Sequence, residues 1–314
     1  MTEKGEKLLA AVAAVFLIAA VCVMVYISKN ASAEDFAENT EEYGDGLQES
    51  QNSEESYFVS IDGTEADIVI PLPGNGAKDT FRIEESPKDM TLEVILQDVE
   101  EQYYLEHKIQ GNEEKISQVS YRQGRKESEL LFVLKDIYTA DVEIKGDSVF
   151  LKLRNPAEQY DRLVVMEGDC WEKEVFDSLE KKDIKGLANG DMMTANSLRA
   201  DFFVSMSVDT WASEDQITIY YNDDYYIPEF DSRYFAELLE EAFGKQYGRG
   251  NVSVERMDEG ELSEAMVPSV LIECRMEMPD AGAPGETDKA KINAENGMLV
   301  ADVLIKQYQE MEEK

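Results

Sequence analysis

Apolar positions change rhythm along this chain, and each rhythm predicts a different kind of element. Residues 8–27, LLAAVAAVFLIAAVCVMVYI, form an unbroken run of twenty apolar residues. At about 1.5 Å per residue such a run crosses a bilayer core of about 30 Å. Lys4 and Lys7 precede it, and after Lys29 the chain turns strongly acidic. That asymmetry keeps residues 1–7 in the cytoplasm and exports the rest, a single-pass membrane protein with its bulk outside the cytoplasm. A cleavable signal peptide is the alternative, since Ala31-Ser32-Ala33 fits a small-x-small cleavage site, although the apolar run exceeds the usual signal core of about 7–15 residues. Residues 28–56 then read as an acidic, disordered tether. Their segment EDFAENTEEYGDGLQESQNSEES (34–56) holds too little apolar surface to order itself.

From Tyr57 to Asn155 the rhythm shortens. ADIVI (66–70), TLEVIL (91–96), ELLFVLK (129–135), YTADVEI (138–144) and SVFLKL (148–153) are strand-like runs separated by turn signals such as Pro73-Gly74-Asn75-Gly76 and Lys145-Gly146-Asp147. Short strands at this spacing predict a small β-sandwich over 57–155.

Beyond Gln159 the pattern alternates between strands and helices. DRLVVM (161–166) predicts a buried strand, and WEKEVFDSLEKKDIKGLANG (171–190) a helix stopped by Asn189-Gly190. A short helix follows over 191–200 with Asp191 as N-cap. FFVSMS (202–207) and QITIYY (216–221) predict strands. Phe235, Leu238, Leu239, Ala242 and Phe243 take helical spacing in 231–247. PSVLIE (268–273) is another strand, and the helix from about Lys289 puts Val300, Leu304 and Tyr308 on one face. Such alternation predicts an α/β domain over 159–314 with a mainly parallel sheet. Ligands in such sheets bind at the carboxyl ends of the strands, here Glu167–Cys170, Ser207–Asp209 and Glu273.

Composition narrows the chemistry. With 67 acidic against 30 basic side chains, the net charge is −37, and no phosphate-neutralising surface exists for nucleic acid. The single histidine, His107, sits in YYLEHKIQG and reads as a surface or capping residue. It leaves no Ser–His pair for triad hydrolysis. Gly248-Arg249-Gly250 lacks the strand–loop–helix context of a phosphate loop, and the acidic clusters lack the oxygen spacing of a calcium loop. YYNDDYYIPEF (220–230) is either a sugar-stacking surface or a strand end with its loop. Cys22 lies in the apolar run; Cys170 and Cys274 are one possible pair, not a disulfide framework, and Cys274 reads as a core residue.

Four segments carry a family resemblance. TANSLRADFFVSMSVD (194–209), VPSVLIECRMEMPD (267–280), LEKKDIKGLA (179–188) and YDRLVVMEGDCWEKE (160–174) resemble, in that order, four motifs of zinc-dependent N-acetylmuramoyl-L-alanine amidases. These are the second-histidine motif, the general-base motif, the glutamate-ligand motif and the first-histidine motif. The resemblance runs from Tyr160 to the C-terminus and is most specific in the first two. ELLFVLKDIYTADVEIKGDSVFLKL (129–153) resembles the AMIN-type β domains that precede such enzymes. The resemblance implies a Gram-positive type cell wall, peptidoglycan or a cell-wall amidase as partner, and zinc as cofactor if the chain is active. It matches Glu273 to the general base and Glu180 to the glutamate ligand. The histidine positions fall at Cys170 and Ser207, neither of which is histidine, and Trp171 stands where the family has glycine. Room for one helix and one strand between the glutamate ligand and the Ala-Asn motif is also missing. A serine hydroxyl is a poor zinc ligand, whereas Cys170 thiolate, Glu180 and Asp209 would make an unusual donor set. Three functions follow as expectations: an impaired amidase relative that binds peptidoglycan or regulates an amidase, with no cofactor and Glu273 idle; an active amidase with a diverged metal site; or a non-enzymatic envelope scaffold.

Overall fold

The structure, a computed structural model, describes residues 48–49, 57–74, 81–97, 99–124, 127–168, 171–222, 226–227, 230–257, 259–277 and 286–312. The expected membrane span 8–27 lies outside them, as does most of the expected tether. Among the described residues no helix is long and apolar enough to cross a membrane. Within the stretch expected as tether, Gln48–Glu49 forms a two-residue strand (β1) paired antiparallel with Gln123 and Arg122. That is a correction with a simple cause. A sheet edge offers unpaired N–H and C=O groups, and any extended backbone can satisfy them whatever its side chains.

Nine further strands build two five-stranded sheets: β2 Phe58–Ser60, β3 Ile68–Pro71, β4 Arg82–Ser86, β5 Thr91–Gln97, β6 Ile109–Gly111, β7 Ile116–Gln123, β8 Glu127–Leu134, β9 Thr139–Lys145 and β10 Ser148–Arg154, with helix α1 at Glu101–Glu106. Their orders are β1-β7-β8-β5-β4 and β2-β6-β3-β10-β9. The period-2 alternation explains the packing. Leu130, Phe132 and Leu134 of β8 and Val149, Leu151 and Leu153 of β10 bury every second side chain in one shared core. The sandwich expected for this region is thus present. Its polar strands β4 and β7, RIEES and ISQVSYRQ, carried no apolar run to announce them.

The remaining elements are helix α2 Pro156–Gln159, β11 Leu163–Glu167, α3 Lys173–Glu180, β12 Lys185–Leu187, α4 Met192–Leu198, β13 Phe202–Ala212, β14 Gln216–Tyr221, the small ribbon β15 Tyr226–Ile227 and β16 Phe230–Asp231, α5 Ser232–Tyr247, β17 Val252–Arg256, β18 Ser269–Glu277 and α6 Glu286–Glu312. Six strands form one sheet in the order β12-β11-β13-β18-β14-β17. Every neighbouring pair is parallel except β14 with β18. The α/β fold with a mainly parallel sheet is therefore as expected, with one reversal that the sequence did not signal.

The predicted helix over 171–190 is corrected. It ends at Glu180; Asp183 takes a φ of +57°, and Lys185–Leu187 returns as a strand beside β11. Gly186 makes that return possible, because a β-carbon there would stand 2.8 Å from the Phe176 ring. The N-cap expected at Asp191 is present, its carboxylate accepting from Thr194 N at 2.8 Å; a second, not read from the sequence, is Asp231, which accepts from Tyr234 N at 2.7 Å.

One face of this sheet is fully covered. Phe202, Val204 and Met206 of β13, Ile217 and Ile219 of β14, and Val270 and Ile272 of β18 pack against Val175 and Leu179 of α3, Phe235, Leu239 and Phe243 of α5, and Val300 and Leu304 of α6. Among the described residues the other face is covered only over its amino-terminal half. There Leu163, Val165 and Phe203 meet Leu198 of α4, Leu262, Val267, and Ile137 from the sandwich. The sandwich also reaches the sheet through Lys88 N to Asn189 O at 3.3 Å and Asn189 Nδ2 to Glu85 O at 3.4 Å. The three hydrophobic clusters and this contact lie within residues 48–314, which form one compact unit.

Candidate functional site

The uncovered half of that sheet face is where the strand ends meet. Register sets its rows. Ser207 stands level with Glu273, and Glu273 with Thr218. One row toward the amino ends, Glu167 is level with Ser205, Ser205 with Leu271, and Leu271 with Tyr220. One row the other way, Asp209 is level with Arg275 and Arg275 with Gln216. Neighbouring strands lie about 4.8 Å apart and level residues share a face. Glu273 is therefore bordered by two hydroxyls, Ser207 and Thr218, and by Arg275 two residues along its own strand. The Arg275 guanidinium stands 3.8 Å from the Glu273 carboxylate, whose side chain is 38 % exposed.

Surrounding groups tune this edge. Burial, and then the nearby Glu273 charge, raises the Tyr220 hydroxyl pKa above its ordinary value. Burial also pushes the Glu167 carboxyl up, against the pull of Lys88, which reaches across from the β4–β5 turn to 3.4 Å. Trp171 is held by its indole N–H, which donates to Glu167 O at 2.8 Å.

The sequence-derived site residues scatter. Glu273 and Ser207 are side by side, as the parallel register of β13 and β18 requires. Glu180 is the last residue of α3, exposed, just before the turn into β12, whose first residue is level with Leu163 at the amino end of β11. It thus lies at the end of the sheet opposite to Ser207 and Glu273. Cys170 falls outside the described residues. Asp209 is exposed one row beyond Glu273. Cys274 points into the core on the other face, 1 % exposed. His107 caps α1 in the sandwich, its ring stacked on Tyr103 with centroids 4.3 Å apart. Tyr220 and Tyr221 are level with Leu271 and Val270, so β14 ends toward the side of the sheet away from Glu273, and residues 223–225 and 228–229 of the aromatic run lie outside the described residues. Thr218 and Arg275 were not singled out from the sequence, and Tyr220 entered only as the first residue of the aromatic run 220–230. Only the antiparallel β14 brings Thr218 and Tyr220 to Glu273, and no local pattern encodes that reversal.

Zinc of the kind the resemblance implies does not fit the described residues. Among them no three His, Cys, Asp or Glu side chains come together as a metal would need. Beside Glu273 the available groups are neutral hydroxyls and a guanidinium, and a cation at that position would repel a second one.

No family model matches the sequence, and no curated protein matches it. Solved structures similar to the chain include an N-acetylmuramoyl-L-alanine amidase of Nostoc punctiforme, at 15 % identity and a TM-score of 0.33, covering 49 % of this chain and 98 % of that one. An amidase of Mycobacterium smegmatis is similar at 16 % identity and 0.33, covering 46 % and 94 %. The CwlD amidase of Clostridioides difficile, solved in complex with the GerS lipoprotein, is similar at 13 % identity and 0.32, covering 48 % and 98 %. Scores at this level carry no argument about activity, which has to rest on the residues themselves.

Proposed function

We propose that this chain is a membrane-anchored, extracytoplasmic relative of the cell-wall amidases that binds peptidoglycan, or regulates its hydrolysis, without cleaving it. The observation that carries the reading is the row Ser207–Glu273–Thr218 with Arg275 beside it, on the uncovered half of the sheet. The segments that resemble the amidase motifs supply the fold edge and the retained carboxylate. The groups around that carboxylate are hydrogen-bonding and cationic instead of metal-binding. The exposed Ser207 hydroxyl, the Glu273 carboxylate and the Arg275 guanidinium suit sugar hydroxyls, peptide amides and stem-peptide carboxylates, while Thr218 beside them is buried. Hydrolysis by the family route needs a metal-activated water, and Glu273 alone has none to work on.

The test uses the full chain in detergent with purified peptidoglycan, with and without added zinc. Sedimentation with the wall that Arg275→Ala and Glu273→Ala weaken, together with no released stem peptide by mass spectrometry, is the expected result. Stem-peptide release that Glu273→Ala abolishes would replace this reading with an active amidase whose metal ligands include Cys170. A folded protein that neither sediments with the wall nor cleaves it would leave the scaffold function.

A further inference from the structure

Strand β9 is the outermost strand of its sheet and, among the described residues, pairs only with β10. Val142 and Ile144 are level with Leu151 and Val149, which are fully buried, yet they are themselves 47 % and 44 % exposed. The apolar face of this sheet therefore runs past the cover of the sheet opposite. The backbone is open as well. Ala140 N donates to the Glu85 carboxylate at 2.7 Å, so it points away from β10. In an antiparallel ladder that direction repeats every second residue. The N–H and C=O groups of Val142 and Ile144 thus also face outward, and neither N–H has a hydrogen-bond acceptor among the described residues.

We infer that this edge docks a second copy of the chain, antiparallel, on a two-fold axis through Glu143. In that register Val142 lies opposite Ile144 of the second copy, and this happens twice. The outward N–H and C=O groups of one meet those of the other, as the ladder demands. Asp141 lies opposite Lys145 of the second copy, also twice, and the single like-charge contact is Glu143 with its own copy. Moving the axis to Val142 would set Asp141 against Glu143 twice. Moving it to Ile144 would set Asp141 against Asp147 and leave Val142 opposite Gly146.

Charge selects this occupant over an extended basic peptide. The chain as a whole is at −37, but this strand is balanced locally. Lys145 bonds Glu143 at 2.8 Å, and Arg154 of β10 bonds Asp141 at 2.5 Å. A uniformly basic peptide would set a like charge against Lys145, whereas a second β9 offers both signs in the matching order, so each side chain exchanges a partner on its own chain for one across the seam. The net charge of the two copies still opposes association at long range, and salt relieves it.

The full chain in detergent is the protein to test, in a Cys22→Ser, Cys170→Ser background. A two-fold axis through Glu143 makes it a pair without direct hydrogen bonds, with Cα atoms about 4.5 Å apart, within disulfide reach. Glu143→Cys is expected to form a covalent dimer under mild oxidation at least about tenfold faster than Asp141→Cys or Lys145→Cys, which would be displaced along the strand. Sedimentation is expected to show a dimer that strengthens from about 0.02 to about 0.5 M salt, as the screening length shrinks from roughly 20 to roughly 4 Å. Val142→Lys should abolish it without changing the unfolding midpoint. Asp141→Lys should weaken it, and adding Lys145→Asp should restore it. A chain that stays monomeric up to about 1 mM, the weak end of specific binding, overturns the inference. So does a dimer that survives Val142→Lys, equal cross-linking at all three positions, or capture of a basic peptide by a chain that never self-associates.

Discussion

Asp67 of the sandwich and Glu273 of the six-stranded sheet are carboxylates on neighbouring layers of β structure, with opposite surroundings. Asp67 is 1 % exposed. It accepts from Asn112 Nδ2 at 3.0 Å, Lys115 Nζ at 3.1 Å and Leu153 N at 2.9 Å, and Lys152 stands at 3.4 Å. Burial would raise its pKa, but those hydrogen bonds overcome burial and hold the carboxyl below its ordinary value. Glu273 has hydroxyls level with it, one guanidinium at 3.8 Å, and open solvent. A carboxylate whose acceptor sites are filled by its own protein is part of the scaffold. One whose sites are left to solvent on an uncovered face is placed for something else to fill.

The sharpest way to break this comparison is to remove both side chains. Asp67→Ala strands a buried amide and a buried backbone N–H and leaves the partly exposed Lys115 without its carboxylate, and is expected to cost about 3 kcal/mol in urea unfolding. A loss under about 1 kcal/mol would mean that the cluster relaxes onto water and that Asp67 is not a structural hub.

Packing in the covered half of the sheet comes next in size. A β-carbon at Gly190 would stand 2.4 Å from Val165 Cγ1, inside the face that α4 closes. Gly190→Ala is expected to cost about 1–3 kcal/mol by overpacking, read from the shift in thermal midpoint. Tolerance of alanine would show that the closed half is as yielding as the open half, and the contrast between them would lose its basis.

The pH dependence sharpens the contrast by sign. The Asp67 pKa is depressed in the folded state, so its stabilisation is present above the ordinary value of 3.8 and is lost as pH falls through the lower folded value. Glu85, between the sandwich and the sheet, behaves in the opposite way. Burial raises its pKa, despite the hydrogen bond from Ala140 N and the charge of Lys185. The folded chain then binds the proton more tightly than the unfolded one, and stability falls as pH rises from 4.5 through the higher folded value. Urea midpoints measured across this range should turn over between the two windows. Asp67→Asn should flatten the acid limb alone, and Glu85→Gln the upper limb alone. A single monotonic limb in both variants would refute the assignment.

How much of this could be read beforehand follows from what sequence patterns encode. Periodicity in ELLFVLK and SVFLKL gave strands because both sheets bury alternate residues in one core. Asp191 gave a helix start because capping is local chemistry. Strand β17, VSVER, escaped because an edge strand with one buried residue has no run to show. The length of α3 escaped because LEKKDIKGL keeps apolar residues at helical spacing, while Gly186 and pairing with β11 decide for a strand. At the site, Glu273 and Ser207 were legible from their strand-end positions. Thr218 and Tyr220 were not, because their place depends on β14 running against β18, a tertiary choice. Glu180 was matched through motif resemblance alone, and the direction of α3 carries it to the far end of the sheet.

The smallest expected effect is the one that bears most on function. Glu273→Ala removes a half-exposed carboxylate whose one cationic neighbour, Arg275, is itself 59 % exposed. Exposed pairs of this kind contribute about 0–1 kcal/mol, and at 3.8 Å this one sits at the weak end. The sheet does not need the side chain either, because Ser207 and Thr218 on the flanking strands are paired through backbone whatever stands at 273. The urea midpoint should therefore move by less than about 0.5 kcal/mol, far less than for Asp67→Ala. If Glu273→Ala instead destabilises the chain as strongly as Asp67→Ala, then the carboxylate is holding the strand ends together, and the uncovered face is scaffold after all. If stability is unchanged while sedimentation with peptidoglycan is lost, the side chain is kept for what it touches outside the chain.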